Sequence, residues 1–156
     1  EDEAARLMAD GVTWRPGARE LIAAVRDAGL ATALVTTTPR RVADLVLARI
    51  GEIAPGIPSF DIIVCGDEVP ARKPDPAPYR QAMAALGVDA AQCVVVEDSQ
   101  AGVSAGLAAG AAVLAVPALQ LVAPAPGLVL RDSLTGVGVQ TLAGVLAGRS
   151  AVGGRG

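Results

Sequence analysis

Four residues with side chains suited to chemistry each follow an apolar segment of the sequence, directly or after a loop: Thr36, Lys73, Glu97 and Asp98. Adjacent carboxylates such as Glu97 and Asp98 supply the oxygen ligands that a hard cation such as Mg²⁺ prefers. A hydroxyl and an ammonium, together with such a cation, stabilise the negative charge of a transferring phosphoryl group. These residue types therefore predict a site that binds phosphate and Mg²⁺.

Each of these residues also has a simpler structural interpretation. Acidic side chains are favoured at helix N-termini, so Glu97 and Asp98 could serve that purpose alone. Thr36 could be a strand-end hydroxyl without a role, and Thr37 beside it is a candidate either for phosphate binding or for helix capping. Lys73 could be a solvated loop lysine, but it is the only lysine in a chain whose other basic residues are all arginine. A single lysine among arginines suggests that this position requires a compact ammonium with three hydrogen-bond donors.

The elements that must position these residues alternate between strand and helix along the chain. Short apolar runs predict strands at residues 30–35, 60–65, 93–96, 111–116 and 128–130. Amphipathic or small-residue segments predict helices at residues 18–28, 39–50, 78–86, 100–109 and 134–146, and Ser99 is a natural N-cap for the helix at 100–109. The alternation predicts an α/β fold, a parallel sheet with helices on both faces. Because the carboxyl ends of parallel strands meet at one edge, the candidate residues should converge there.

The composition excludes several classes of function. The chain contains no histidine, which removes Ser-His-Asp and Cys-His catalysis and every His-ligated zinc site. A formal net charge of −3 without a basic cluster argues against nucleic acid as a partner. Membrane spans need roughly 20 apolar residues, and no run in the sequence is that long. Cys65 and Cys93 lie in or beside predicted strands, as expected for small core residues of a protein in a reducing, cytoplasmic compartment.

A resemblance to a known family rests on three motifs: VTTT at residues 35–38, KPDP at 73–76 and VEDSQAG at 96–102. In this order they resemble the second, third and fourth motifs of the haloacid dehalogenase superfamily. The resemblance is greatest to its branch of β-phosphoglucomutase-like and phosphoglycolate-phosphatase-like proteins and spans roughly residues 15–146. It implies a Rossmann-like core with a helical cap, an aspartate nucleophile that forms a phospho-aspartate intermediate, and Mg²⁺ as the cofactor.

The resemblance also implies a role for each candidate residue. Thr36 would hydrogen-bond the phosphoryl oxygens, with Thr37 as a further phosphate-binding candidate. Lys73 would neutralise the nucleophile and the phosphate, so that Thr36 and Lys73 are the implied catalytic residues of this chain. Glu97 and Asp98 would hold Mg²⁺, either directly or through water.

One part of the family pattern is missing from the sequence, the first motif Asp-x-Asp-Gly-Thr after an apolar strand. The string DGVT at residues 10–13 lacks the paired aspartate, places its threonine one position late and follows residues of helical type. We therefore expect residues 1–14 to be the remnant of a cap helix and linker, residues 15–148 to be the C-terminal portion of the core, and residues 149–156 to be a disordered tail. The nucleophile would lie outside this chain, and the missing central strand would leave two open sheet edges.

The expected function is that of a Mg²⁺-dependent phosphohydrolase acting on a small phosphorylated metabolite, through a phospho-aspartate whose nucleophile precedes Glu1. A sugar-phosphate mutase would use the same site. A catalytically inactive phosphate-binding domain is the alternative from a different class, because the remaining residues can bind phosphate and metal without the covalent step. The residues leave the substrate and the oligomeric state open.

Overall fold

The computed structural model of the chain describes residues 16–53, 60–117 and 122–153, so the expected cap remnant at residues 1–14 lies outside the described residues. The helices are α1 (Ala18–Asp27), α2 (Arg40–Ile53), α3 (Ala77–Leu86), α4 (Gln100–Ala108) and α5 (Val139–Gly153). The strands are β1 (Ala33–Val35), β2 (Ile62–Val64), β3 (Val94–Glu97), β4 (Ala112–Ala115) and β5 (Leu128–Leu130). Within these ranges, no helix has the length and apolar character needed to cross a bilayer.

The strands form two parallel sheets. Strand β1 pairs with β2, and β4 lies between β3 and β5 in the second sheet. The predicted α/β class with parallel strand pairing is confirmed. The alternation of strands and helices had predicted one continuous sheet, whereas the described strands form two. Among the described strands, β1, β2, β3 and β5 each lie at the end of a sheet, and only β4 is paired on both sides.

Strand β4 supplies the core of the larger sheet, and each of its residues is buried. Val113 and Ala115 lie in an apolar cluster with residues of α3 and α4. Ala112 and Leu114, which point to the opposite face, lie in a second cluster with residues of α1 and α5. Helices therefore cover both faces of this sheet, as predicted.

The first pair of strands is shorter than predicted because a side chain ends the ladder. The backbone N–H of Thr32 donates to Oδ2 of Asp61 at 2.9 Å, and β1 begins one residue later. At the other end, Thr36 N–H donates to the carbonyl of Val64 at 2.9 Å before the chain turns away. The Asp61 side chain therefore caps the amino end of β1, and the strand ends after Val35 at the turn that begins with Thr36.

Two helix ends show how local sequence sets the boundaries. The side chain of Ser99 accepts from the backbone N–H of Gly102 at 3.1 Å, which confirms the predicted N-cap of α4. Helix α5 begins at Val139 rather than at residue 134, because Gly136 has a positive φ of 79° and the N–H of Gly138 donates to the side chain of Thr141. The same helix runs to Gly153, so residues 149–153 continue it instead of joining a disordered tail; the sequence RSAVG contains no proline that would end it.

Candidate active site

Lys73 brings the ends of the two sheets together. Its Nζ donates to the carbonyl oxygen of Val35, the last residue of β1, at 2.8 Å, and to Oε1 of Glu97, the last residue of β3, at 2.5 Å. The Lys73 and Glu97 side chains are only 9% and 7% exposed. The predicted convergence of these two residues is therefore present as a buried ion pair at the carboxyl ends of the strands.

The Glu97 carboxylate is held on both of its oxygens. Oε1 accepts from Lys73 and also from the hydroxyl of Tyr79, and Oε2 accepts from the backbone N–H of Asp98 at 3.3 Å. The first turn of α4 packs directly against it, because a Cβ placed on Gly102 would collide with the carboxylate group. Because Gly102 has no side chain, the Glu97 carboxylate can pack directly against the first turn of α4.

Tyr79 is a residue of the site that the sequence motifs did not reveal. It lies in the first turn of α3, is 7% exposed, and places its ring under the ammonium of Lys73, with 5.0 Å between Nζ and the ring centroid. Burial, followed by the negative charge of Glu97, raises the pKa of the Tyr79 hydroxyl well above its usual value, which keeps it a hydrogen-bond donor. Its position six residues after Lys73, just inside a helix that starts at a proline-rich loop, is the only sequence signal for it.

The two threonine candidates lie next to this pair, on the turn after β1. Thr36 is half-buried, and its Oγ1 accepts from the N–H of Thr38 at 3.1 Å. Thr37 is exposed, and its backbone packs so closely on Gly66 that a Cβ there would collide with the Thr37 carbonyl. The link from Thr36 to Lys73 runs through Val35, the residue that accepts from the ammonium.

A second ion pair stabilises the edge of the site. Arg40 donates to both carboxylate oxygens of Glu68, at 2.7 and 3.1 Å, and to the carbonyl of Ile63 at 2.8 Å. The Arg40 hydrogen bond lowers the pKa of Glu68, which also accepts from the N–H of Cys65. These contacts hold the start of α2 against the end of β2, so the turn that carries the threonines is anchored from both sides.

The residues that could hold Mg²⁺ form a partial set. Asp98 is exposed at the end of β3, next to Glu97, whose carboxylate is engaged by Lys73 and Tyr79. Across the described ranges, no three acidic or cysteine side chains come close enough to form a complete metal site. Because Mg²⁺ is usually held by one or two carboxylates together with waters and a substrate phosphate, Asp98 and Oε2 of Glu97 fit it as that kind of contribution.

The two cysteines behave as core residues. Both Cys65 and Cys93 are free, and burial raises the pKa of each thiol. A raised pKa keeps a thiol in its protonated, unreactive form.

The fold is a parallel α/β core with a buried lysine–carboxylate pair at the carboxyl ends of its strands, the edge of such a sheet where ligands bind. The family model described as "haloacid dehalogenase-like hydrolase" matches residues 1–110 of the chain. The chain therefore belongs to the haloacid dehalogenase-like hydrolases, which confirms the family predicted from the motifs.

The matches to individual relatives cover only part of each relative's length. Protein CbbY of Rhodobacter capsulatus is 41% identical over 103 residues, which are 65% of this chain and 44% of the relative. Hexitol phosphatase A of Escherichia coli is 38% identical over 109 residues, 70% of this chain and 48% of that protein. The chain thus spans about half the length of these curated relatives.

A solved structure supports the same fold. The crystal structure of CbbY from Rhodobacter sphaeroides in complex with phosphate superimposes with a TM-score of 0.79 at 32% identity, covering 91% of this chain and 64% of that one. The two chains therefore share one fold over the superimposed residues.

Proposed function

We propose that the complete protein is a Mg²⁺-dependent phosphatase of a small phosphorylated metabolite. The observation that carries the proposal is the buried ammonium of Lys73, which joins Val35 on one sheet to Glu97 on the other at the carboxyl ends of the strands. Relatives named for phosphatase activity, among them hexitol phosphatase A, support the reaction class. The relative solved with phosphate supports the ligand. The chemistry of the site calls for neither nucleic acid nor a membrane, and we propose a cytoplasmic location.

In this proposal the chain supplies the charge that stabilises the transferring group. An ammonium has three N–H bonds; two of those of Lys73 point at Val35 and Glu97, and we assign the third to the phosphoryl oxygens. Thr36 and Thr37, on the turn beside Val35, donate to the same oxygens. Preorganised donors of this kind act strongly in a site from which water is excluded.

The carboxylates provide the place for the metal. Asp98, with Oε2 of Glu97 as a direct or water-mediated partner, would hold Mg²⁺, and that cation when bound neutralises charge on the phosphate. Because Oε1 of Glu97 is already committed to Lys73 and Tyr79, we expect Asp98 to be the stronger ligand of the two.

The nucleophile in this account is an aspartate outside the chain, carried on a strand between β1 and β3. Backbone groups of Thr32 and Thr36 form hydrogen bonds with β2. Because alternate residues of a strand face opposite neighbours, the backbone N–H and C=O of Val35 point away from β2. The ladder to β4 uses the carbonyls of Cys93 and Glu97, so the backbone of Val96 likewise faces away from β4. Two edges of this kind can accept one further parallel strand, whose end would lie beside Lys73.

The test is product analysis with the longest natural form of the protein. It would be incubated with sugar phosphates, hexitol phosphates and phosphoglycolate, with and without Mg²⁺, and both orthophosphate and the organic product would be measured. We expect Mg²⁺-dependent release of one orthophosphate per dephosphorylated product. A rearranged phosphate ester without orthophosphate would instead identify a mutase, and binding of Mg²⁺ and phosphate without any turnover would identify an inactive binding domain.

A matched substitution tests the metal assignment within the same assay. We expect Asp98→Asn to raise the Mg²⁺ concentration needed for half-maximal release sharply, because a neutral amide is a weaker ligand for a hard cation. Asp89→Asn, at an exposed acidic residue before β3, is the control and should leave the titration unchanged. An unchanged titration for Asp98→Asn would mean that this carboxylate serves only the helix N-terminus.

A further inference from the structure

We propose that Tyr79 is a positioning residue, which holds the Lys73–Glu97 pair in the geometry that phosphoryl transfer requires. The catalytic consequence rests on the function proposed above, whereas the positioning itself is a property of this chain. The residue lies outside the three motifs, and the motifs alone assign it no role.

Three side chains meet at one oxygen atom. Oε1 of Glu97 accepts from the Lys73 ammonium and from the Tyr79 hydroxyl, while the same ammonium lies 5.0 Å from the centroid of the Tyr79 ring. The residues Tyr79, Lys73 and Glu97 are all among the least exposed polar groups of the fold. Tyr79 therefore touches both members of the pair, one with its hydroxyl and the other with its ring face.

These contacts restrict the two charged side chains in different ways. The hydroxyl fixes the rotation of the Glu97 carboxylate, because it requires Oε1 to point toward α3 and leaves Oε2 on the side of Asp98. The ring face attracts the ammonium through its negative π-cloud. A long, flexible lysine side chain is thus confined by Val35, Glu97 and the ring together, so its position does not depend on the ion pair alone.

Core packing alone does not account for the hydroxyl group of Tyr79. Met83 lies one turn later on α3 and belongs to the same apolar cluster as Tyr79. A buried phenol is costly unless its O–H finds a partner, and an aromatic hydrocarbon would fill the same space. The one atom that distinguishes tyrosine from phenylalanine at this position is the atom that contacts Glu97.

The experiment measures how fast Lys73 reacts with acetic anhydride, followed by mass spectrometry of the Lys73 peptide. Lys73 is the only lysine of the chain, so a single ε-amine is monitored. The variants are Tyr79→Phe, which keeps the ring, Tyr79→Leu, which removes ring and hydroxyl, and Met83→Ala, which loosens the same cluster without touching the pair.

We expect acetylation of Lys73 to be about tenfold faster in Tyr79→Phe, as for the loss of one hydrogen bond to a charged group, and faster still in Tyr79→Leu. Met83→Ala should lower the unfolding midpoint while Lys73 reacts at the wild-type rate. A wild-type rate in Tyr79→Phe, or equal acceleration in Met83→Ala, would overturn the proposal, because Tyr79 would then act only through core packing.

A kinetic measurement on the longest natural form separates this proposal from the proposed function. Tyr79→Phe should lower kcat for phosphate release about tenfold with little change in KM, because the charge that it positions acts mainly in the transition state. Met83→Ala should keep the wild-type kcat below its unfolding temperature. If the wild-type protein releases no phosphate from any ester, the proposed function fails, while the acetylation rates still decide whether Tyr79 positions Lys73.

Discussion

Two of the ion pairs that join distant segments of the chain lie at opposite ends of its parallel strands. At the amino ends, Arg26 and Asp61 lie 3.2 Å apart with side chains 30% and 41% exposed. At the carboxyl ends, Lys73 and Glu97 lie 2.5 Å apart with side chains 9% and 7% exposed. Each pair joins a basic and an acidic side chain, but the Arg26–Asp61 pair remains in contact with water, whereas the Lys73–Glu97 pair is shielded from it.

The difference in burial separates structural from functional use of charge. An exposed pair contributes little to stability, and Asp61 is also used to end the ladder by accepting from the N–H of Thr32. A buried pair loses the hydration of both ions, and well-packed apolar side chains would be as stable or more so. The burial of Lys73 and Glu97 at the edge where ligands bind is therefore the observation on which our proposal of a chemical role for this pair rests.

The largest expected effect comes from breaking the buried pair on one side. We expect Lys73→Met to lower the free energy of unfolding by about 3–5 kcal/mol, because it leaves the Glu97 carboxylate buried without its counter-charge. Urea denaturation measures this change. The double variant Lys73→Met/Glu97→Gln should recover a large part of the loss, and a double variant as unstable as the single one would show that the pair stabilises the fold by itself.

A smaller effect is expected where α4 meets the Glu97 carboxylate. Gly102→Ala adds a methyl group that collides with Glu97, so we expect a loss of about 1–3 kcal/mol, as for other overpacked sites. The control is Gly144→Ala in α5, where nothing lies within 4 Å of the added Cβ; helix propensity should make that variant more stable by about 0.5–1 kcal/mol. Thermal unfolding of both variants checks the contrast, which would be lost if Gly102→Ala were also stabilising.

The smallest effect is expected at the exposed pair, and it depends on pH. Hydrogen bonding from the N–H of Thr32, with a contribution from Arg26, lowers the pKa of Asp61 below its ordinary value of 3.8. Its contribution to stability is therefore complete above that value and is lost as the pH falls through the lower, folded-state pKa. Asp61→Asn should therefore lower the urea midpoint slightly at pH 7 and make its decline in acid shallower; an unchanged acid decline would remove Asp61 from this role.

The sequence predicted that Lys73 and Glu97 lie close together, because their motifs follow strands whose carboxyl ends must meet. It did not predict Tyr79, since the contact with Glu97 spans 18 positions and depends on the rotation of α3. The separation into two sheets and the late start of β1 beside Asp61 also depend on tertiary pairing. Local caps such as Ser99 could be predicted because donor and acceptor lie within one turn of helix.

The comparison of the two pairs leads to one decisive measurement: kcat/KM for Mg²⁺-dependent phosphate release by the longest natural form, as wild type, as Lys73→Met and as Arg26→Met. The account predicts a loss of at least ~100-fold for Lys73→Met, the scale of one preorganised charge stabiliser, and a wild-type value for Arg26→Met. Near-normal turnover in Lys73→Met, with Arg26→Met equally unaffected, would contradict the assignment of the buried pair as the centre of phosphoryl transfer.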